Sequence, residues 1–304
     1  MIEKFGVRLV LCADDFGISK GVDDAILELS SKGRLSAISC MTVASNWVEE
    51  GKRLVAIEAN IGLGLHLTIT DQFSIAPIPH LAPNRSLPSF KNLLFRAVTG
   101  RLDREELFNE FRRQVDAFTS VVNRPPDFID GHHHVHQLPI VRESAIDLIR
   151  RNVIPKDCWL RCCWEPPVRI IRRRVDITRG FWIGAFGLGL RKRADQVGFS
   201  VNRGFTGLYN PQKRDMNAEL MEQLLRGIVD GTVMNCHPGY VDDTLRQADP
   251  LTASRETESA FLMSDEFRNL LERNAITLMK GDRNAFAKST LHHASLGKSL
   301  LTNN

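Results

Sequence analysis

Short apolar runs that stop abruptly, each followed by a stretch with helical spacing, recur along almost the whole chain. That alternation limits the fold more than any other feature. Arg8–Ala13 is an aliphatic and β-branched run that ends at Asp14; Val22, Ala25, Ile26 and Leu29 then recur at helical spacing, and Gly33 supplies a stop. Ala37–Val43 reads as a second strand. A helix from Trp47 to Asn60, with Asn46 as cap, leads to a third strand at Gly62–Leu67. Asp103 and Glu106 have capping-box spacing and open a helix whose apolar face is Leu107, Phe111, Val115, Phe118 and Val122. Further strands are expected at Phe128–Asp130, Trp159–Cys162, Gly204–Leu208, Thr232–Cys236 and Ile276–Met279. Helical faces lie between them at Val141, Ala145 and Leu148, and at Leu220, Leu224 and Ile228. Repeated strand–helix order joins parallel strands through helices packed outside them. Seven or eight such units in one α/β chain point to a (β/α) barrel rather than an open sheet. No linker interrupts the pattern, so residues 1–285 are expected to form a single domain, with a polar tail over 286–304.

Two segments break the repeat. Thr68–Gly100 contains Pro77, Pro79, Pro83 and Pro88 and reads as a long insertion of the lid or binding-loop kind, with an apolar patch that would suit a homodimer. Val168–Arg193 carries eight basic residues against the single acid Asp176, around the apolar run Gly180–Leu190. Its plain reading is a solvated arginine-rich helix face and a glycine-containing loop. Its sharper reading is contact with an anionic membrane surface or a lipid-linked sugar, because Phe181, Trp182 and Phe186 lie among the cations. The whole-chain net charge of +4 is too small to argue for nucleic acid as a partner. The opening residues lack a signal-peptide pattern and no run is long enough to span a bilayer, so a cytoplasmic location is expected. The six cysteines match no zinc ribbon and read as reduced, buried thiols.

The chemistry concentrates where strands end. Six of the nine histidines, His66, His132, His133, His134, His136 and His237, fall at or just past strand C-termini, as do Asp14 and Asp15. In parallel α/β folds that rim is where sites form. Taken singly, each signal has an ordinary explanation: a turn or cap for Asp14-Asp15, a core histidine for His66, a solvated loop for the histidine run. Together, four strands deliver carboxylates and imidazoles to one rim. One carboxylate with two imidazoles is a standard catalytic set for one divalent metal ion and leaves room for water and substrate. Zinc or magnesium suits it first, with manganese or cobalt also compatible. Of two adjacent carboxylates, one can bind the ion while its neighbour takes a proton.

Ala13-Asp14-Asp15-Phe16-Gly17, Gly64-Leu65-His66, Asp130-Gly131-His132-His133-His134-Val135-His136 and His237-Pro238-Gly239 together resemble the YdjC-like family, which includes chitooligosaccharide deacetylases and deacetylases linked to hopanoid biosynthesis. The resemblance runs from near the N-terminus to Met279. It implies a distorted (β/α) barrel of the glycoside hydrolase/deacetylase type that hydrolyses acetyl groups from an N-acetylated carbohydrate. By position it implies Asp15, His66 and His132 as metal ligands, with His136, four residues after His132, as the second choice for the third. It also implies Asp14 as general base, His237 as general acid and Arg161 as the arginine that orients the base, although Cys162-Cys163-Trp164 departs from the pattern around that arginine. His133, His134 and Asp130 are expected to support the ligands. Two rivals share the same residues: a metal-dependent amidase or esterase acting on a non-sugar substrate, and a non-catalytic metal- or sugar-binding protein. Asp14 and His237 argue against the second, since a binder needs neither.

Overall fold

The structure, a computed structural model, describes residues 6–57, 61–282 and 286. The polar tail expected from 286 lies outside these residues except for Phe286, as do the last residues of the helix expected to reach Asn60. Eight parallel strands are present among the described residues: β1 (Val7–Phe16), β2 (Ala37–Cys40), β3 (Gly62–Leu67), β4 (Phe128–Gly131), β5 (Trp159–Leu160), β6 (Gly204–Thr206), β7 (Thr232–Cys236) and β8 (Ile276–Leu278). Their order is β5-β4-β3-β2-β1-β7-β6, and β8 pairs with β1. Leu9 faces Thr232 of β7 and Leu278 of β8, so β8 lies on the β2 side of β1, ahead of β2. The two edges of the sheet approach each other through a parallel bridge between Leu160 and Val201, just before β6. The result is the distorted barrel, held at that seam by very little pairing.

Side-chain parity along the strands divides the interior in two. Leu9, Leu11 and Ala13 pack outward, in one cluster with Val22, Ile26 and Leu29 of the first helix. Val10 and Cys12 point the other way, into a smaller cluster with Ala37, Phe128, Trp159, Phe205 and Val233. This second cluster fills the lower barrel. Phe128 and Trp159 stack there at 4.6 Å, and Phe286 meets Trp159 edge-on. Gly64 admits the Phe128 ring, which any Cβ at that position would strike.

Several strands are shorter than their apolar runs because the chain turns as soon as it reaches the rim. β2 ends at Cys40, where the Met41 amide donates to the Phe16 carbonyl at 2.8 Å. Helix Trp47–Arg53 gives way to a 3-10 turn at Leu54–Ala56, and Asn46 makes no side-chain cap. Asp103 caps helix Arg104–Val122 through the amides of Glu105 and Glu106. Glu106 does not complete a capping box; its carboxylate accepts from the His80 amide and ring instead. The 68–100 insertion contains helix Phe90–Val98 and leaves Phe73, Phe95 and Val98 exposed. The basic segment forms two helices, Pro167–Arg173 and Ile177–Val197, joined by a short turn, and its glycines lie inside the second helix, not in a loop. All six cysteines are free and buried. No helix among the described residues is long and apolar enough to cross a membrane.

Candidate active site

The site sits directly above the apolar filling of the barrel. The same inward parity that places Val10 and Cys12 in the lower layer brings Asp14 in above them. Ser39 on β2, His66 on β3, Asp130 on β4 and Arg161 after β5 follow by the same rule, and all are buried. Asp15 breaks the rule. Between Ala13 and Phe16 β1 has one residue more than the facing part of β2, and Asp15 takes up a left-handed φ of 69°. This bulge turns Asp15 away from the helix layer, so that adjacent carboxylates reach one site.

Asp15, His66 and His132 offer donor atoms that all lie within 4.8 Å of one another. Asp15 Oδ1 is 3.3 Å from His66 Nε2 and 3.0 Å from His132 Nδ1. Its other oxygen accepts from Arg255 Nη2 at 2.6 Å, and Arg255 also holds Asp249. His66 is fixed from behind: its Nδ1 meets Asp130 Oδ1 at 2.7 Å and Ser39 Oγ at 3.0 Å, which leaves Nε2 facing the triad. A carboxylate behind a ligand imidazole is the usual way of fixing its ring and tautomer. Burial opposes a charge on His66, but Asp130 and then Asp15 override it and push the imidazole up to about 10. Burial likewise opposes the charge on Asp15, and Arg255 and His132 hold it well below the usual carboxylate range. The centre thus favours positive charge, and one carboxylate with two imidazoles fits a small divalent cation.

Asp14 faces Arg161 in a fork, with Nη1 to Oδ2 and Nη2 to Oδ1 both at 2.6 Å. Burial alone would raise Asp14; the guanidinium more than offsets this and holds it ionised, well below the usual range. Arg161 also pairs with Asp130 and donates to Cys12 Sγ at 2.9 Å. Cys12, Asp14 and Asp130 converge closely enough to suggest a second cation position, but the arginine already supplies the positive charge there. His237 lines the same cavity. Burial lowers its pKa, with Asp15 and Asp14 pulling the other way. Its amide donates to Glu258 Oε2 at 3.0 Å. Burial pushes Glu258 up to about 7, and the Tyr209 hydroxyl donates to it.

The histidine run is not an α-helix. His133 and His134 both adopt left-handed backbone, at φ 54° and 59°, and the chain reverses there. His136 is therefore carried away from the triad, its Nε2 donating to the Arg161 carbonyl at 2.8 Å, and it is not among the converging donors. Burial lowers it to about 4. His133 packs on the His132 ring at 3.9 Å and meets Thr70 Oγ1 at 3.2 Å. His134 lies against Cys163 Sγ at 3.6 Å.

The structure thus brings Asp14, Asp15, His66, His132 and His237 to one cavity of about 400 Å³, with His133 and His134 on its wall and Arg161 buried beneath Asp14. Arg179, Tyr209, Arg255 and Glu258 join them there without having been expected. They lie outside any short motif, and only the fold brings them in. Arg255 and Glu258 are one helical step apart, a spacing that helix Ala253–Met263 alone could have suggested.

A model of the family described as YdjC-like protein matches residues 8–273. Chitooligosaccharide deacetylases of Yersinia pestis (strain Pestoides F) and Yersinia pseudotuberculosis (serotype O:1b, strain IP 31758) are each 27% identical over 271 residues, which is 89% of this chain and 96% of theirs. A solved structure from Enterococcus faecalis V583, provisionally described as a cellobiose-phosphate cleavage protein, superposes with a TM-score of 0.68 at 20% identity, over 93% of this chain and 99% of that one. That likeness supports the fold, and the family match reaches every strand but the last, so the chain belongs to the YdjC-like family.

Proposed function

We propose that this protein is a metal-dependent hydrolase that removes acetyl groups from an N-acetylated carbohydrate and releases acetate. The observation that carries the reading is the convergence of Asp15, His66 and His132 beside Asp14 and His237 in one cavity. The curated relatives named chitooligosaccharide deacetylases supply the substrate class.

Asp15 Oδ1, His66 Nε2 and His132 Nδ1 would hold one divalent ion, with zinc or magnesium favoured by the mixed donor set. When bound, such an ion polarises an acetamido carbonyl and lowers the pKa of water. The protein's own groups do the rest. Asp14, held ionised and oriented by the Arg161 fork, takes a proton from the attacking water. Water oxygen bonds to the carbonyl carbon, the carbon–nitrogen bond breaks, and His237 delivers a proton to the leaving nitrogen. The products are acetate and a free amine. Asp130 and Ser39 keep the His66 ring from rotating, and Arg255 keeps Asp15 presenting one oxygen.

Acetate release from a panel of N-acetylated sugars, with and without chelator, tests this directly. Chelator-sensitive release of acetate with a new amine is the expected result. A metal-loaded protein that leaves every sugar intact but cleaves simple amides or esters would move the assignment to a non-sugar substrate.

A further inference from the structure

Over its first three turns helix Ile177–Val197 meets the fold through small residues rather than large ones. The inward positions there are Gly180, Gly184 and Gly187, which press against Ile170 and the backbone of Cys163 and Trp164; Leu190 and Ala194 are buried further along. Its two most exposed rings point outward, Phe181 at 40% and Trp182 at 68%, while Ile183 and Phe186 are half-buried. An amphipathic helix in a water-soluble fold normally does the reverse. The preceding short helix Pro167–Arg173 buries Ile170 but exposes Val168 and Ile171, which lie on one face at a spacing of three. Of eleven large apolar side chains exposed among the described residues, Val168, Ile171, Ile177, Phe181 and Trp182 fall in this one stretch. Such clustering marks an interaction surface.

The charge around the patch selects the partner. Arg172, Arg174 and Lys192 are exposed and form no ion pair among those described, while Arg169 and Arg173 are held by Glu165 and Arg193 by Glu143. The eight basic residues of 168–193 against one acid exceed the whole chain's net charge of +4, so the rest of the molecule is net acidic. Aromatic and aliphatic side chains ringed by free cations suit the boundary of an anionic bilayer, where the rings enter the headgroup layer and the cations meet phosphates.

We infer that these two helices dock the protein on an anionic membrane surface. Arg179 lies on the cavity rim and one helical turn before Trp182, so docking brings the cavity mouth to the interface. Access to surface-borne acetamido sugars would rest on the deacetylase reading. The docking does not, and vesicle binding is measured without any acetate assay.

The experiment is co-sedimentation of the full chain with phosphatidylcholine vesicles, with and without phosphatidylglycerol, alongside tryptophan emission. Trp47 and Trp159 are buried and Trp164 is half-buried, so a change in exposure on docking reads chiefly Trp182. Binding to the anionic vesicles at low salt is expected, weakening as salt screens it, with a blue shift that Trp182→Ser removes. Each cation removed, as in Arg172→Gln or Arg174→Gln, should lower partitioning about five-fold. These side chains are exposed, so the variants should fold. No sedimentation at low salt, or binding unchanged in all three variants, would overturn the inference. So would a dimer abolished by Trp182→Ser with no vesicle binding, since the face would then belong to a second copy.

Discussion

Replacing Asp23 with asparagine should make the protein more stable at alkaline pH and flatten its pH dependence. Asp23 lies on the first helix with its side chain turned inward, where Oδ1 accepts from the Gly17 amide at 2.5 Å. Oδ2 has no partner among the described residues. Burial, more than the nearby Glu50 and Asp24, pushes its pKa up from 3.8 to about 8, and Arg53, bound to Glu50 and Asp24, does not prevent it. The folded protein therefore keeps a proton that the unfolded chain has released throughout that window. Stability is insensitive to this group below the unfolded value, falls as pH rises through the window, and reaches its full penalty above the folded value. At 1.36 kcal/mol per pKa unit the ceiling is roughly 6 kcal/mol, and a gain of about 2–5 kcal/mol on substitution is the reasonable scale. Asparagine keeps an oxygen for Gly17 and never ionises. Urea unfolding of both proteins at pH 5 and pH 9 would measure it, the difference between them isolating Asp23 from every other titrating group. Parallel pH curves for the two would mean that Asp23 is ionised in the native state, and the reasoning would fail.

Other consequences can be measured separately. Asp14→Asn should lower turnover by about 10²–10⁴-fold while the protein still binds metal, read by elemental analysis; full turnover would remove Asp14 from the mechanism. Asp15→Ala should instead lose the metal itself. Asp130→Asn should weaken zinc binding by about 10–100-fold in a competition titration, because His66 loses the carboxylate that fixes its ring. Gly187→Ala should destabilise by about 1–3 kcal/mol in thermal or urea unfolding, since a Cβ there would stand 2.5 Å from the Trp164 amide nitrogen, which outweighs any gain in helix propensity.

The periodic parts of this molecule were legible in its sequence. Alternating strands and helices gave the barrel, and their ends gave the rim on which Asp14, His66, His132 and His237 meet. What escaped was irregular backbone and distant partnership. Nothing in Asp14-Asp15 reveals the bulge that turns the second carboxylate, and spacing kept His136 as second choice to His132 although two left-handed residues separate them. Gly180, Gly184 and Gly187 read as loop residues because a glycine-lined helix face has no apolar periodicity; the helix exists because its backbone can press closely onto the residues beneath it. Arg255 reaches Asp15 across 240 positions, a separation at which no local pattern operates.

Arg161 binds Asp14 on one side and Asp130 on the other, so a single cation is shared by the proposed proton acceptor and by the group that steadies His66. The two carboxylates are therefore not independent. Neutralising either leaves the buried guanidinium with one acid and draws it towards the survivor, which disturbs the untouched half of the site. Single substitutions at 14 and 130 should each overstate their own share, and the double substitution should cost less than their sum. Evolution at these positions is then constrained jointly: neither acid can drift to a neutral residue without unbalancing the arginine that the other depends on.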